Sequence, residues 1–294
     1  LAERARDYCR NPAPQSREQL EAAWLDAFLA WQRVRFVDFG PVENNNLSWQ
    51  FQFWPDPKNL VARKAAYLTG DAEPITPQVI SQSGVAVQGF PMIEYLLVVE
   101  RCKTVDNERR APRSCELLTG VADHVESNGD ELMTRWQAFR PHYLKTDQYF
   151  DTTVRAGMAA LEILEERRLA QPMGLRGNGK RNPYIADAWR SGETLKTIEA
   201  TVDGLNQFFL PGLTTALEGN EEKHLAERIR NQFNEVQQNF PGAYFPMATA
   251  LDEEVQSRVL QDLYVEVSQL TILVNDQAAV ALNVVRGFNS SDGD

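Results

Sequence analysis

The sequence predicts an all-α protein made of two tandem up-and-down helical bundles. Three observations predict it. Apolar residues recur at three- and four-residue spacing along the whole chain, the mark of helices with one buried face. Alternating runs of Val, Ile and Thr joined by Asn-Gly or Asp-Gly turns, the usual signal of hairpins, do not occur in it. The chain has 294 residues, 43% of them hydrophobic, which suits two domains of ordinary size. Helices of about 20–30 residues bury one apolar face by packing antiparallel in groups of about four.

The elements follow in order. Residues 1–8 read as a short helix entered in its middle. Over 16–39, Leu20, Trp24, Phe28 and Trp31 form a stripe with Ala23 and Ala27 alongside. Ser16 is its expected N-cap, with Gln19 three residues on, and Gly40-Pro41 ends it. Residues 42–77 hold Asn44, Asn45, Asn46, Pro55, Pro57 and Pro74, so they predict a long connection with one short helix at 60–68. Further helices are expected over 77–100 and 114–143. The second of these carries Leu117, Leu118, Val121, Val125, Leu132, Trp136 and Phe139, with Pro141 near its end. In the second half, 152–169 has Met158, Leu161 and Leu164 at helical spacing, and 171–183 is a Gly-rich basic loop. Helices over 186–209, 221–239 and 252–283 complete the chain, the last with Leu263, Val267, Leu270 and Val274 on its core face. The boundary is placed within 142–151, giving bundles at 1–145 and 146–294.

A net charge of -11 argues against a nucleic-acid partner, because such binding needs a basic surface that releases counterions. The basic clusters at Arg109, Arg110 and Arg113 and at Arg176, Lys180 and Arg181 lie in polar stretches bearing Gly or Pro and read as solvated loops. No apolar run reaches the ~18–20 residues of a membrane span. The three cysteines, Cys9, Cys102 and Cys115, allow three pairings with one thiol left over. Cys102 and Cys115 flank a charged loop, and one disulfide involving Cys115 is expected. No C-x-x-C spacing suggests a metal site.

The segment 84–99 carries the most chemistry. From Met92 to Val99 every residue but Glu94 is apolar or aromatic, so this helix is expected to be buried on all faces. A buried carboxylate costs several kcal/mol unless it is paired or protonated, which makes Glu94 the central candidate site residue, the competing reading being a structural ion pair. Pro91 inside a helix would leave the Val87 carbonyl without its usual partner and bend the axis. Alternatively it opens a new helix in the first turn. Gly84 and Gly89 ease a break and permit close backbone approach.

Gly89-x-Pro91-x-x-Glu94, followed by Tyr95-Leu96-Leu97, resembles the G-x-H-x-x-E motif of the imelysin family, with Pro in place of His. Four further stretches are similar to that family: Ala23-Trp24 to Trp31 with Phe39-Gly40-Pro41, then Phe53-Trp54-Pro55-Asp56, then Ala188-Trp189-Arg190-Ser191, and the terminal Gly287-Phe288-Asn289-x-x-Asp292-Gly293-Asp294. The resemblance implies a duplication of helical bundles with a site in the groove between them. It implies a periplasmic or outer-membrane-associated protein, exported by a signal not present in this sequence, with any lipid anchor lying outside it. It also implies a part in iron uptake, with an iron-related small ligand or an envelope iron-uptake protein as partner; some members are classed as metallopeptidases.

Pro91 departs from the motif. His and Glu at i and i+3 share a helix face and can share a metal, whereas proline has no donor atom. Glu94 is then the one metal-ligand candidate of the motif, iron is expected in preference to zinc, and no catalytic residue is assigned. His224-x-x-Glu227 reads as a solvated helix face. Gly174 to Lys180 matches a phosphate-binding loop except that Arg181 replaces the Ser/Thr. Arg190 is the expected partner for Glu94, since Arg can bind a carboxylate through two parallel hydrogen bonds. The expected ligand-binding set is Glu94, Arg190, Gly89, Pro91, Ser191, Trp31 and Asp56. Trp24, Trp31 and Trp54 also read as packing, and Asp56, Asp292 and Asp294 as candidate oxygen donors for a hard cation, the default for the terminal pair being a frayed solvated tail. The expectation is a non-catalytic ligand-binding protein; the alternatives are a metallopeptidase and a helical interaction module.

Overall fold

A computed structural model describes residues 1–70, 73–99, 111–240 and 245–285. Cys102, Arg109, Arg110, Asp292, Asp294 and the 287–294 motif lie outside the described residues. Among the described residues every regular element is helical, and none is long and apolar enough to cross a membrane. Two compact units are formed, the first from Leu1–Trp31 with Gly40–Arg140 and the second from Gln32–Phe39 with Pro141–Asp294.

The first unit contains α1 (Ala2–Arg10), most of α2 (Pro14–Val34), α3 (Leu47–Phe51), α4 (Leu60–Gly70), α5 (Pro77–Gln82), α6 (Phe90–Val98) and most of α7 (Ala111–Lys145). The stripe read along α2 is its core face: Leu20, Trp24, Phe28 and Trp31 are all buried. Ser16 is not the N-cap. It lies inside α2 and reaches back, its Oγ accepting from the Ala13 N–H at 3.1 Å, so one of the orphan donors at the helix start is still satisfied. Only the first half of the α7 stripe is core. Leu117, Leu118, Val121 and Val125 are buried, whereas Leu132, Trp136 and Phe139 are half-buried. The pairing that the sequence left open is Cys9–Cys115, with the two Cα atoms 5.6 Å apart. It joins α1 to the start of α7, and the Arg6–Asp123 ion pair ties the same two helices.

The expected continuous helix over 77–100 is two helices separated by a turn. Thr76 caps α5 by accepting from the Val79 N–H, Gly84 and Gly89 both take φ near +86°, and α6 starts at Phe90. Gln88 closes the break by donating to the carbonyls of Ile80 and Ser81 at 3.1 and 3.0 Å.

The second unit contains α8 (Gln148–Glu162), α9 (Gln171–Met173), α10 (Thr194–Gly204), α11 (Leu210–Gly219), α12 (Lys223–Asn239), α13 (Met247–Ala250), α14 (Glu254–Thr271) and α15 (Ala279–Ala281). Three long helices carry π-helical stretches, at Ile163–Ala170, Leu205–Phe209 and Ile272–Ala278. Apolar spacing of three and four residues gives no notice of them, because a π turn shifts the register by a single residue. Helix α10 begins at Thr194 and not at 186, since Ala188 and Gly192 hold left-handed conformations that no right-handed helix can contain. Past Phe209 the chain remains helical as α11, with Pro211 in its first turn, where the missing N–H is tolerated. One core runs through this unit, from Leu161 and Leu164 through Ile229 and Phe233 to Leu263, Val267, Leu270 and Val274. Phe36, from the segment after α2, is part of that core and meets Phe209 at 6.3 Å.

Candidate functional site

Gly89 is the residue on which the first part of the site turns. A Cβ there would stand 2.2 Å from the Phe51 carbonyl oxygen and 2.3 Å from that of Gln50. Its φ of +86° is also one that L side chains rarely adopt. Only glycine lets the α5–α6 turn press against the end of α3. Pro91 then falls in the first turn of α6, where a helix has no use for its N–H. Of the two readings of Pro91, a kink or a helix start, the structure shows the helix start. Around it the aromatic rings form a continuous layer: Trp24 donates to the Phe90 carbonyl at 3.1 Å, Phe28 stacks on Phe90 at 4.9 Å, and Phe51 lies 6.4 Å from Phe90.

Glu94 sits one turn into α6 and is 3% exposed, with Met92, Ile93, Tyr95, Leu96 and Leu97 buried beside it. Trp31 approaches this segment through Phe51, stacking on it at 4.5 Å, while its indole N–H donates to Gln52 Oε1 at 3.2 Å. Asp56 caps α4: its two carboxylate oxygens accept from the N–H groups of Leu60 and Val61 at 2.7 and 3.0 Å. Gly89, Pro91, Glu94 and Trp31 thus share one neighbourhood of the first unit.

The same strip of α3 holds His124. Its Nε2 lies 3.0 Å from Gln50 Oε1, which also accepts from Asn128 at 3.2 Å. Burial pushes the His124 pKa below its ordinary value, against a smaller opposing pull from Glu131. A depressed folded-state pKa means that the unfolded chain takes up the proton first. His124 therefore adds stability above the unfolded pKa of about 6.5, and that contribution is lost as pH falls toward the folded value. Urea unfolding followed from pH 7.5 down to pH 5 is expected to show a falling midpoint. In His124→Gln the fall should be shallower; an identical slope in both proteins counts against the assignment.

Arg190 and Ser191 belong to the second unit. They share the turn between Asp187 and α10, and both are half-buried. The Arg190 guanidinium lies over the Trp189 ring at 4.5 Å, and Tyr184 meets that ring edge-on at 5.1 Å. Ser191 Oγ donates to the Ala188 carbonyl at 3.0 Å.

Beneath this turn is a buried polar cluster that the sequence reading missed. Arg168 and Asp187 are 1% and 3% exposed. Arg168 donates to Asp187 Oδ2 and to Thr201 Oγ1, each at 2.7 Å. Thr197 donates to Asp187 Oδ1 at 3.2 Å, and Thr201 Oγ1 lies 3.4 Å from Gln32 Oε1. Arg35 stands 4.0 Å from Asp187; burial and the neighbouring Arg168 charge lower its pKa to about 10, against the pull of Asp187. One signal was present in the sequence: Arg168 follows Leu161 and Leu164 at seven and four residues, on the core face of its own helix.

His224 and Glu227 are exposed on α12. Among the described residues no three His, Cys, Asp or Glu side chains gather closely enough to hold a metal ion.

A family model described as imelysin (peptidase M75) matches residues 1–274. An imelysin-like protein from Psychrobacter arcticum 273-4, known from its crystal structure, has the same fold, with a TM-score of 0.82 at 21% identity over 98% of this chain and 88% of that one. No curated protein matches the chain at a significant level.

Proposed function

On the premise that the chain belongs to the imelysin family, we propose that it is a non-catalytic protein of the bacterial envelope that binds an iron-bearing ligand in iron acquisition. The observation that carries this reading is Glu94, a carboxylate 3% exposed in a helix otherwise apolar on every face, at the end of the family-like motif. Burying a carboxylate is costly unless it is paired, hydrogen-bonded or protonated, and groups buried in this way concentrate at functional sites. Glu94 and, independently, Arg190 are each proposed as ligand-binding side chains of their own unit. A resident catalytic metal does not fit the residues present. Proline stands where the motif has its His, and no three-residue ligand set is found among the described residues. The Cys9–Cys115 disulfide supports an oxidising compartment outside the cytoplasm. Attachment to a membrane would come through a lipid anchor beyond this sequence, and an iron-uptake protein of the envelope is the partner expected to receive the ligand.

Titration of the purified protein with ferric nitrilotriacetate, followed by calorimetry, tests the reading. Wild type is expected to bind, and Glu94→Gln, which keeps the shape and removes the charge, to bind at least about tenfold more weakly with its helical circular dichroism intact. Unchanged affinity in Glu94→Gln would remove Glu94 from the site. Stoichiometric zinc in the protein as isolated, with peptide cleavage lost in the same variant, would establish the metallopeptidase reading instead.

A further inference from the structure

Ala188 has φ +50°, a left-handed conformation that costs an L residue with a side chain free energy which its surroundings must offset. The surroundings are identifiable. The Asp187 carbonyl accepts from Thr194 Oγ1 at 2.7 Å, and the Ala188 carbonyl accepts from the Glu193 N–H at 3.1 Å and from Ser191 Oγ. Gly192, at φ +79°, packs against Pro246 so closely that a Cβ would meet its ring at 3.1 Å. Both ends of the stretch 188–193 are thus fastened to Asp187, the first through the chain itself and the second through the Thr194 hydroxyl on its backbone carbonyl. The Asp187 carboxylate is held in turn by Arg168 and Thr197, and between the two ends lie Trp189, Arg190 and Ser191.

We infer that Arg168 and Asp187 are positioning residues: their buried ion pair holds the left-handed turn that presents Arg190 and Ser191 to the ligand. This rests on the proposed role of Arg190. The mechanism is that of an outer-shell partner. Arg168 comes from the π-helical stretch after α8, fixes the carboxylate, and through it fixes the backbone from which Arg190 projects. A ligand-binding guanidinium on a wandering turn must be ordered when the ligand arrives; on this turn it is ordered beforehand.

Trp189 reports on the turn, because Trp24, Trp31, Trp49, Trp54 and Trp136 all belong to the first unit. The full chain is labelled with fluorotryptophan, and Trp189 is assigned in the fluorine NMR spectrum by its loss in Trp189→Phe. Asp187→Asn is expected to move the Trp189 resonance, leave the others in place, and weaken ferric nitrilotriacetate binding by about tenfold. Arg168→Lys, which can still pair with Asp187, should keep most of the affinity. Should Asp187→Asn fail to fold, Thr194→Val decides: it removes only the hydroxyl that donates to the Asp187 carbonyl and is expected to move the same resonance. An unmoved Trp189 resonance with wild-type affinity in these variants overturns the positioning role. If Arg190→Ala binds the ferric probe as wild type does, the parent reading falls and the ligand role of the turn goes with it. The Trp189 resonance still settles whether the pair holds the turn.

Discussion

Removing the Cys9–Cys115 disulfide is expected to lower the stability of the first unit by up to ~5 kcal/mol. The bond spans 106 residues of sequence, and a closed loop of that length removes a large share of the conformational freedom of the unfolded chain. Once the bond is cut, the Arg6–Asp123 pair that also joins α1 to α7 is exposed and of small worth. The comparison is between the oxidised protein and Cys9→Ala/Cys115→Ala, both carrying Cys102→Ala so that no thiol can rearrange. Urea unfolding followed by tryptophan fluorescence reports mainly on the first unit, because five of the six tryptophans, at 24, 31, 49, 54 and 136, lie there. A large drop in midpoint is expected. Equal midpoints would show that α1 is already fixed by packing in the unfolding-competent chain.

Gly204→Ala is expected to cost about 3 kcal/mol in the second unit, at the upper end of the range for overpacking. A Cβ on Gly204 would lie 1.9 Å from the Arg33 carbonyl oxygen and 2.5 Å from its carbon. These are backbone atoms, so no rotamer change relieves the clash. Either α10 moves away from the last turn of α2, or the segment 32–39 is displaced. Displacement would also pull Phe36 from the core, Phe39 from its stacks on Tyr143 and Tyr149, and Gln32 from Thr201. Gly212→Ala is the control of opposite sign: it lies in α11 with nothing within 4 Å of a Cβ, so helix propensity should make it neutral or stabilising by up to ~1 kcal/mol. Thermal unfolding by circular dichroism of the two variants separates them. Equal stability of Gly204→Ala and wild type would sink the claim that the end of α2 is built into the second unit.

Much of the candidate site was legible because its signals are local. Glu94 stands out in an unbroken apolar run, and burial of such a run needs no knowledge of its neighbours. The reading of Pro91 as a helix kink failed for a related reason. Whether a proline interrupts a helix or begins one depends on the backbone just ahead of it. Gly89, two residues before Pro91, takes a left-handed conformation and lies against Phe51 and Gln50 of another helix, where a side chain has no room. Arg168 and Asp187 were missed because their pairing spans 19 residues and depends on the fold to bring the π-helical stretch beneath the turn.

The amino-acid sequence by itself determined the all-helical class, most of the buried faces and the place of Glu94 as the one charge in an apolar run, since each of these follows from spacing within a few turns of chain. Tertiary structure alone decided which cysteine meets Cys115, to which unit residues 32–39 belong, and which carboxylate neutralises Arg168. Those outcomes turn on contacts between residues far apart in the chain, and a helix periodicity of 3.6 residues records which face of a helix is buried but not what it is buried against.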